Sequence, residues 1–175
     1  MSTQATITAD VHSLDQGSAA GSIQQSVIPS SVAFRMPNGT SEGQIDLVWQ
    51  RQLTFPDSGT PINYDLDGAM VNAFGELVTF VELTTIYLVV ISTTGGDGLS
   101  IGPGATDPIV TGATSLFGSS GSVVVPKARS ASEPGIALLH SPQGVPISSG
   151  ASQLDVTRLG SGTVTAIIKF IGRSA

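Results

Sequence analysis

Turn-forming residues interrupt this chain so often that no stretch is left for a long helix. Ser, Thr, Gly and Pro supply 71 of the 175 residues, gathered in clusters between short runs rich in Val, Ile and Leu. Glycine reaches the positive φ of tight turns, proline fixes φ, and both weaken a helix interior. Charged residues are 11% and aromatics 5% of the chain. Few solvated helix faces can be built from that, whereas the β-branched bias favours strands. The 40% apolar share is enough to offset ordering entropy and excludes wholesale disorder. The length predicts one domain with room for an appended arm.

The pattern divides at Ser31. Residues 1–30 are polar, with isolated apolar positions at Ile7, Val11, Leu14, Ile23, Val27 and Ile28, and read as an extended N-terminal arm. Such an arm could span ~100 Å and lie across a neighbour. Residues 31–175 form the body. Pro37-Asn38-Gly39-Thr40 is a tight-turn signal. Ile45 to Leu53 alternates apolar with polar residues, as a half-buried strand does. Pro56 to Pro61 is turn-rich, and Ala69 to Phe74 reads as one helical turn ended by Gly75. Ile86 to Ile91 lacks alternation, which predicts a central strand covered on both faces.

Gly95-Gly96-Asp97-Gly98 is expected to turn the chain into a returning strand at Leu99 to Ile101, followed by a loop from Gly102 to Gly121. Strands are expected at Ser122 to Val125, Gly135 to His140, Gln153 to Arg158 and Thr163 to Ile171. Turns at Ser130 to Pro134, Ser141 to Gly144, Ser148 to Gly150 and Gly160 to Gly162 separate them. Seven to nine short strands at this spacing predict an all-β fold, a β-sandwich or jelly-roll-like domain behind the arm.

Several function classes drop out. The chain has no cysteine, so disulfides, thiolate catalysis and Cys-based metal sites are excluded. His12 and His140 are the only histidines and lie near opposite ends. The first thirty residues hold no Lys or Arg, unlike a secretory signal, and the run Ile86 to Ile91 is far short of the ~20 residues that cross a bilayer. Charge is split: residues 1–110 carry eleven acids against Arg35 and Arg51. Residues 111–175 carry Lys127, Arg129, Arg158, Lys169 and Arg173 against Glu133 and Asp155. Neither part has the dense basic stripe with stacking aromatics that nucleic acid requires. A dipolar chain suits contacts between neighbours.

Chemical motifs fail on inspection. Asp65, Asp67 and Glu76 fall at positions one, three and twelve of a calcium loop, but Ala69 and Met70 replace its third ligand and its glycine. Gly95 to Gly104 and Gly118 to Gly121 lack the Lys-Ser/Thr of a phosphate loop and read as turns. His140 beside Ser141 has no nucleophile elbow and reads as a rim histidine. Trp49, Tyr64 and Tyr87 are expected in the core. No catalytic, cofactor-binding or metal residue is assigned, and the chain is not expected to be an enzyme.

Three segments carry a family resemblance. They are Arg35-Met36-Pro37-Asn38-Gly39-Thr40, then Asp65-Leu66-Asp67-Gly68 with Val71 to Phe80 and Leu83 to Leu88. The third pairs Leu99-Ser100-Ile101-Gly102 with Gln153 to Val164. In these the chain resembles small β-rich virion proteins of tailed bacteriophages, of the capsid decoration or cement type. The resemblance implies a β-sandwich body on the capsid surface, assembled in the host cytoplasm. It also implies a homotrimer that clamps neighbouring major-capsid subunits, with no catalytic residues, no cofactor, no small-molecule substrate, no nucleic acid and no membrane partner. The alternatives are a tail or neck protein, as a structural adaptor or a receptor-binding part, and a carbohydrate-binding adhesin.

Overall fold

Two long antiparallel strands organise the computed structural model, which describes residues 5–19, 22–42, 44–55, 59–109, 116–117, 121–130 and 133–174. In chain order the strands are β1 (Ala5–Ala19), β2 (Ser22–Met36), β3 (Leu47–Phe55), β4 (Ile62–Asp65) and β5 (Asp67–Val71). There follow β6 (Leu77–Thr79), β7 (Glu82–Pro103), β8 (Val123–Pro126), β9 (Gly135–Pro146) and β10 (Gln153–Arg173). No helix occurs among the described residues. The fold is all-β and sandwich-like.

β7 and β10 pair from Arg173↔Glu82 to Leu154↔Pro103. Each borders different partners at its two ends. β10 takes β3 along 164–172 and β4 along 153–156. β7 takes β9 along 82–90 and β8 along 98–101. The ribbon is bent where the register slips between Leu159, Gly160 and Thr163, and again at Thr165/Ala166. Gly98, Gly160 and Gly162 have positive φ there, a conformation that side-chain-bearing residues rarely adopt. Bulges of this kind increase bend and twist. The glycine clusters at 95–98 and 160–162 are therefore not turns between strands, as the sequence pattern predicts, but bends inside two continuous strands that face each other.

One core joins both ends of the bent sheet. Ile86, Leu88, Val90, Ala166, Ile168 and Phe170 from one end share a buried cluster with Leu99, Ile101, Val125, Leu154 and Val156 from the other. Even-numbered residues of β10 are buried from Leu154 to Arg158 and again from Val164 to Phe170, as the two-residue period requires, with the pattern broken at Gly160 and Gly162. Trp49 stacks on Phe170 at 5.3 Å, and Tyr64 meets both rings edge-on. Ile109 and Phe117, in the expected loop, reach into the same core.

Other expectations changed as well. Ala69 to Phe74 is not a helical turn: residues to Val71 belong to β5, and the chain then turns into β6. β9 spans the turn expected at Ser141 to Gly144 as a break in its pairing: the register with β7 jumps from His140 to Val145, and Gly144 takes a positive φ. β7 is central, but Tyr87 is only half-buried, so its outer face is incompletely covered. Residues 1–4, 56–58, 110–115, 118–120 and 131–132, which include parts of the expected arm, turns and loop, lie outside the described residues.

The N-terminal segment folds back on itself. β1 and β2 pair without a register break from Ala5↔Met36 to Ala19↔Ser22, setting Ile7 opposite Phe34 and Ala9 opposite Val32. Fifteen residues per strand make a ribbon ~50 Å long. β2 continues past the boundary expected at Ser31. At its base, Met36 packs with Ile45 and Ile171 in a second small cluster. Thr84 Oγ1 donates to Ile171 O at 2.9 Å beside it.

Candidate interaction surfaces

Exposed apolar groups held in fixed geometry stand out among the described residues. The first is the turn between β5 and β6. Asn72 organises it: its Oδ1 accepts from Phe74 N at 2.9 Å and Glu76 N at 3.0 Å, and its Nδ2 donates to Glu76 Oε2 at 2.9 Å. Asn72 N donates to Glu76 O, Gly75 N donates to Asn72 O, and Gly75 takes φ 84°. An asparagine that bonds its own following backbone is a common turn former. Below the turn, Met70 and Val78 are buried in the core, and Trp49 Nε1 donates to Val71 O at 2.9 Å.

This rigid base displays apolar side chains to solvent. Phe74 is 82% exposed and Leu77 70%. Burying a phenylalanine is worth roughly 1.5–3 kcal/mol, so the turn forgoes that gain within the monomer. Sequence reasoning missed Phe74 because an aromatic is by default a core residue. The legible signal was Asn72 followed by Phe74-Gly75-Glu76, a turn signature with an aromatic at its tip.

The second feature is the outer face of the sheet across β9, β7 and β10. Register places Leu138 opposite Tyr87 and Ile136 opposite Val89, while Tyr87 and Val89 lie opposite Lys169 and Ile167 on their other side. Ile136 is 51% exposed, and Leu138, Tyr87 and Ile167 are half-buried. Toward β3 the face continues with the uncharged Gln50, Gln52 and Thr54, all exposed. At one end the segment carrying Met36 and Ile45 covers Ile171, which is buried. That cover stops short of Ile167 and Ile136.

The residues singled out from sequence do not converge. Asp65 Oδ1 accepts from Asp67 N at 3.1 Å and Ser152 Oγ at 2.8 Å, which is turn and strand-end bonding. Glu76 belongs to the Asn72 turn instead. Among the described residues, no three His, Asp or Glu side chains gather where a metal could be held. Trp49 and Tyr64 are core residues, as expected, whereas Tyr87, also expected there, is half-buried on the outer face of β7 because its parity on the strand is opposite to that of Ile86 and Leu88. Burial holds the Tyr64 phenol well above its usual range, partly offset by the Arg51 charge.

His140 is half-buried on β9, its Nδ1 at 2.9 Å from Thr85 Oγ1. Burial pushes its pKa below 6.5, opposed by a hydrogen bond with the Thr84 backbone. The unfolded chain then binds more protons than the native one as pH falls through 6.5. Stability is full above that value and declines below it. Urea midpoints should fall between pH 7.5 and 5.5, and His140→Asn should flatten that slope. An unchanged slope in the variant would mean that His140 does not contribute.

No family model, curated protein or solved structure matches the chain.

Proposed function

We propose that the chain is a structural virion protein, a decoration or cement protein that binds the outer surface of a phage head. It clamps neighbouring major-capsid subunits and associates with other copies of itself as a homotrimer. The observation that carries this reading is the β1–β2 ribbon, a two-stranded sheet that pairs with no body strand among the described residues. A projecting ribbon adds contact area to a second site, and linking two sites raises attachment through effective concentration. The low charge content keeps desolvation costs small in a permanent assembly. The family resemblance supplies the virion context, and with it the capsid surface as location.

Copy number tests the reading. Purified particles of the phage encoding the chain, examined by electron microscopy and quantitative protein staining, should carry hundreds of copies on the head. A dozen or fewer, in a neck ring or at a tail tip, would overturn the capsid role in favour of a tail or neck component.

A further inference from the structure

Seven large apolar residues are exposed among the described residues, and five of them fall in two places. Val71, Phe74 and Leu77 belong to the β5–β6 turn, and Val48 and Ile136 to the outer sheet face. The two places differ in charge. Asp67 and Glu76, both exposed, accompany the turn, with Asp65 close behind in sequence. Lys169 lies within the sheet face, and exposed Lys127 and Arg129 follow β8. That stretch lies beside Gly135, where an added Cβ would run into the Pro126 carbonyl, but Gly135 pairs with buried Val90, so the approach is from the core side of β9 and not from the face that carries Ile136. Glu133 offsets Arg129 at 3.5 Å within that loop. An apolar knob accompanied by Asp67 and Glu76 and an apolar strip that carries Lys169 thus occur on one chain.

They also occupy different sides of it. Met70 and Val78 join the turn to the core layer on the inner face, whereas Tyr87, Ile136 and Ile167 share the opposite face of the sheet. A contact between them cannot be made by one patch meeting its own twin. It is heterologous, head to tail, and such contacts close into rings when the rotation permits.

We infer that the Phe74 turn of one copy seats on the Ile136–Leu138–Tyr87–Ile167 strip of a second copy. Phe74 supplies the buried anchor, and the acidic turn against Lys169 sets the orientation. The inference rests on the self-association proposed above and names its surfaces. The partner is the same chain because knob and strip complement each other in both apolarity and charge.

Sedimentation equilibrium on the full chain tests it. Wild type should associate at micromolar concentration, and raising salt from 0.05 to 0.5 M should weaken association, since exposed charge pairs are screened. Phe74→Asp and Ile136→Asp should each weaken association about 100-fold or more, as loss of an interface anchor does. Circular dichroism and melting should stay as in wild type, because both residues are exposed.

The decisive arm mixes the two variants. Phe74→Asp keeps an intact strip and Ile136→Asp an intact knob, so equimolar mixing should give a one-to-one heterodimer. A mixture that stays monomeric overturns the inference. So does a Phe74→Asp protein with wild-type association, or a wild type that is monomeric and needs Phe74 only to bind capsid protein. Persistent oligomers in Phe74→Asp would leave the virion role standing, since copy number on particles is measured separately.

Discussion

Replacing Phe170 with alanine is expected to destabilise the fold by about 3–5 kcal/mol. Phe170 is fully buried on β10, opposite Trp49 of β3 on one side and Ile86 of β7 on the other. Its ring stacks on Trp49 with an interplanar angle of 15° and meets Tyr64 edge-on at 5.4 Å. Truncation removes both ring contacts and leaves a cavity between strands whose hydrogen bonds prevent collapse. Domains of this kind have roughly 5–15 kcal/mol in total, so the variant should be close to unfolded at 37 °C. Urea titration followed by Trp49, the single tryptophan, reads the loss at the affected site. A change below about 1 kcal/mol would show that the aromatic cluster repacks freely.

Substituting Gly98 should be nearly as damaging. Its φ is 107°, and an added Cβ would overlap the Val125 carbonyl oxygen and crowd the backbone of Pro126 and Lys127 at 2.9 Å. Backbone cannot swing aside as a side-chain tip does. Gly98→Ala must therefore displace the end of β8 as well as adopt a strained conformation, with an expected loss of roughly 3 kcal/mol. For a chain of this length that lowers Tm by about 6–12 °C. Gly75→Ala is the matched control: its φ is 84° but nothing lies within 4 Å of the added carbon. It should lose only about 1–2 kcal/mol. Equal losses in the two variants would mean that backbone strain alone, not the approach of β8, makes Gly98 necessary.

The elements that sequence reveals here are those with a local signature. Alternation at Ile45 to Leu53 marks β3, and the continuous apolar run of Ile86 to Ile91 marks the middle of β7. The glycine clusters mislead because punctuation is local while their role is not. Gly96 and Gly160 are paired across the β7–β10 ribbon, and nothing near either residue announces the other. The arm is similar: two serine-rich halves look extended until their mutual register is known. The interaction surfaces were partly legible. The charge split between acidic and basic segments is present in the sequence, and of its members Asp67 and Glu76 accompany the turn while Lys169 lies on the outer sheet face. The exposure of Phe74 was not legible, since composition gives no sign of which aromatic the core leaves out.

The central position of β10 also governs when the fold can form. β3, β4 and β7 all hydrogen-bond to it, yet among the described strands it is the last to leave the ribosome. At roughly 5–20 residues per second, β3 waits several seconds for β10, the strand it pairs with among the described residues, and β7 waits with one flank open. Pairings as distant as Phe55 with Val164 also make for slow folding once synthesis has passed them. Newly made chains therefore pass through an interval with open strand edges. Their yield in cells should depend on chaperone holding and on growth temperature more than native stability alone would suggest.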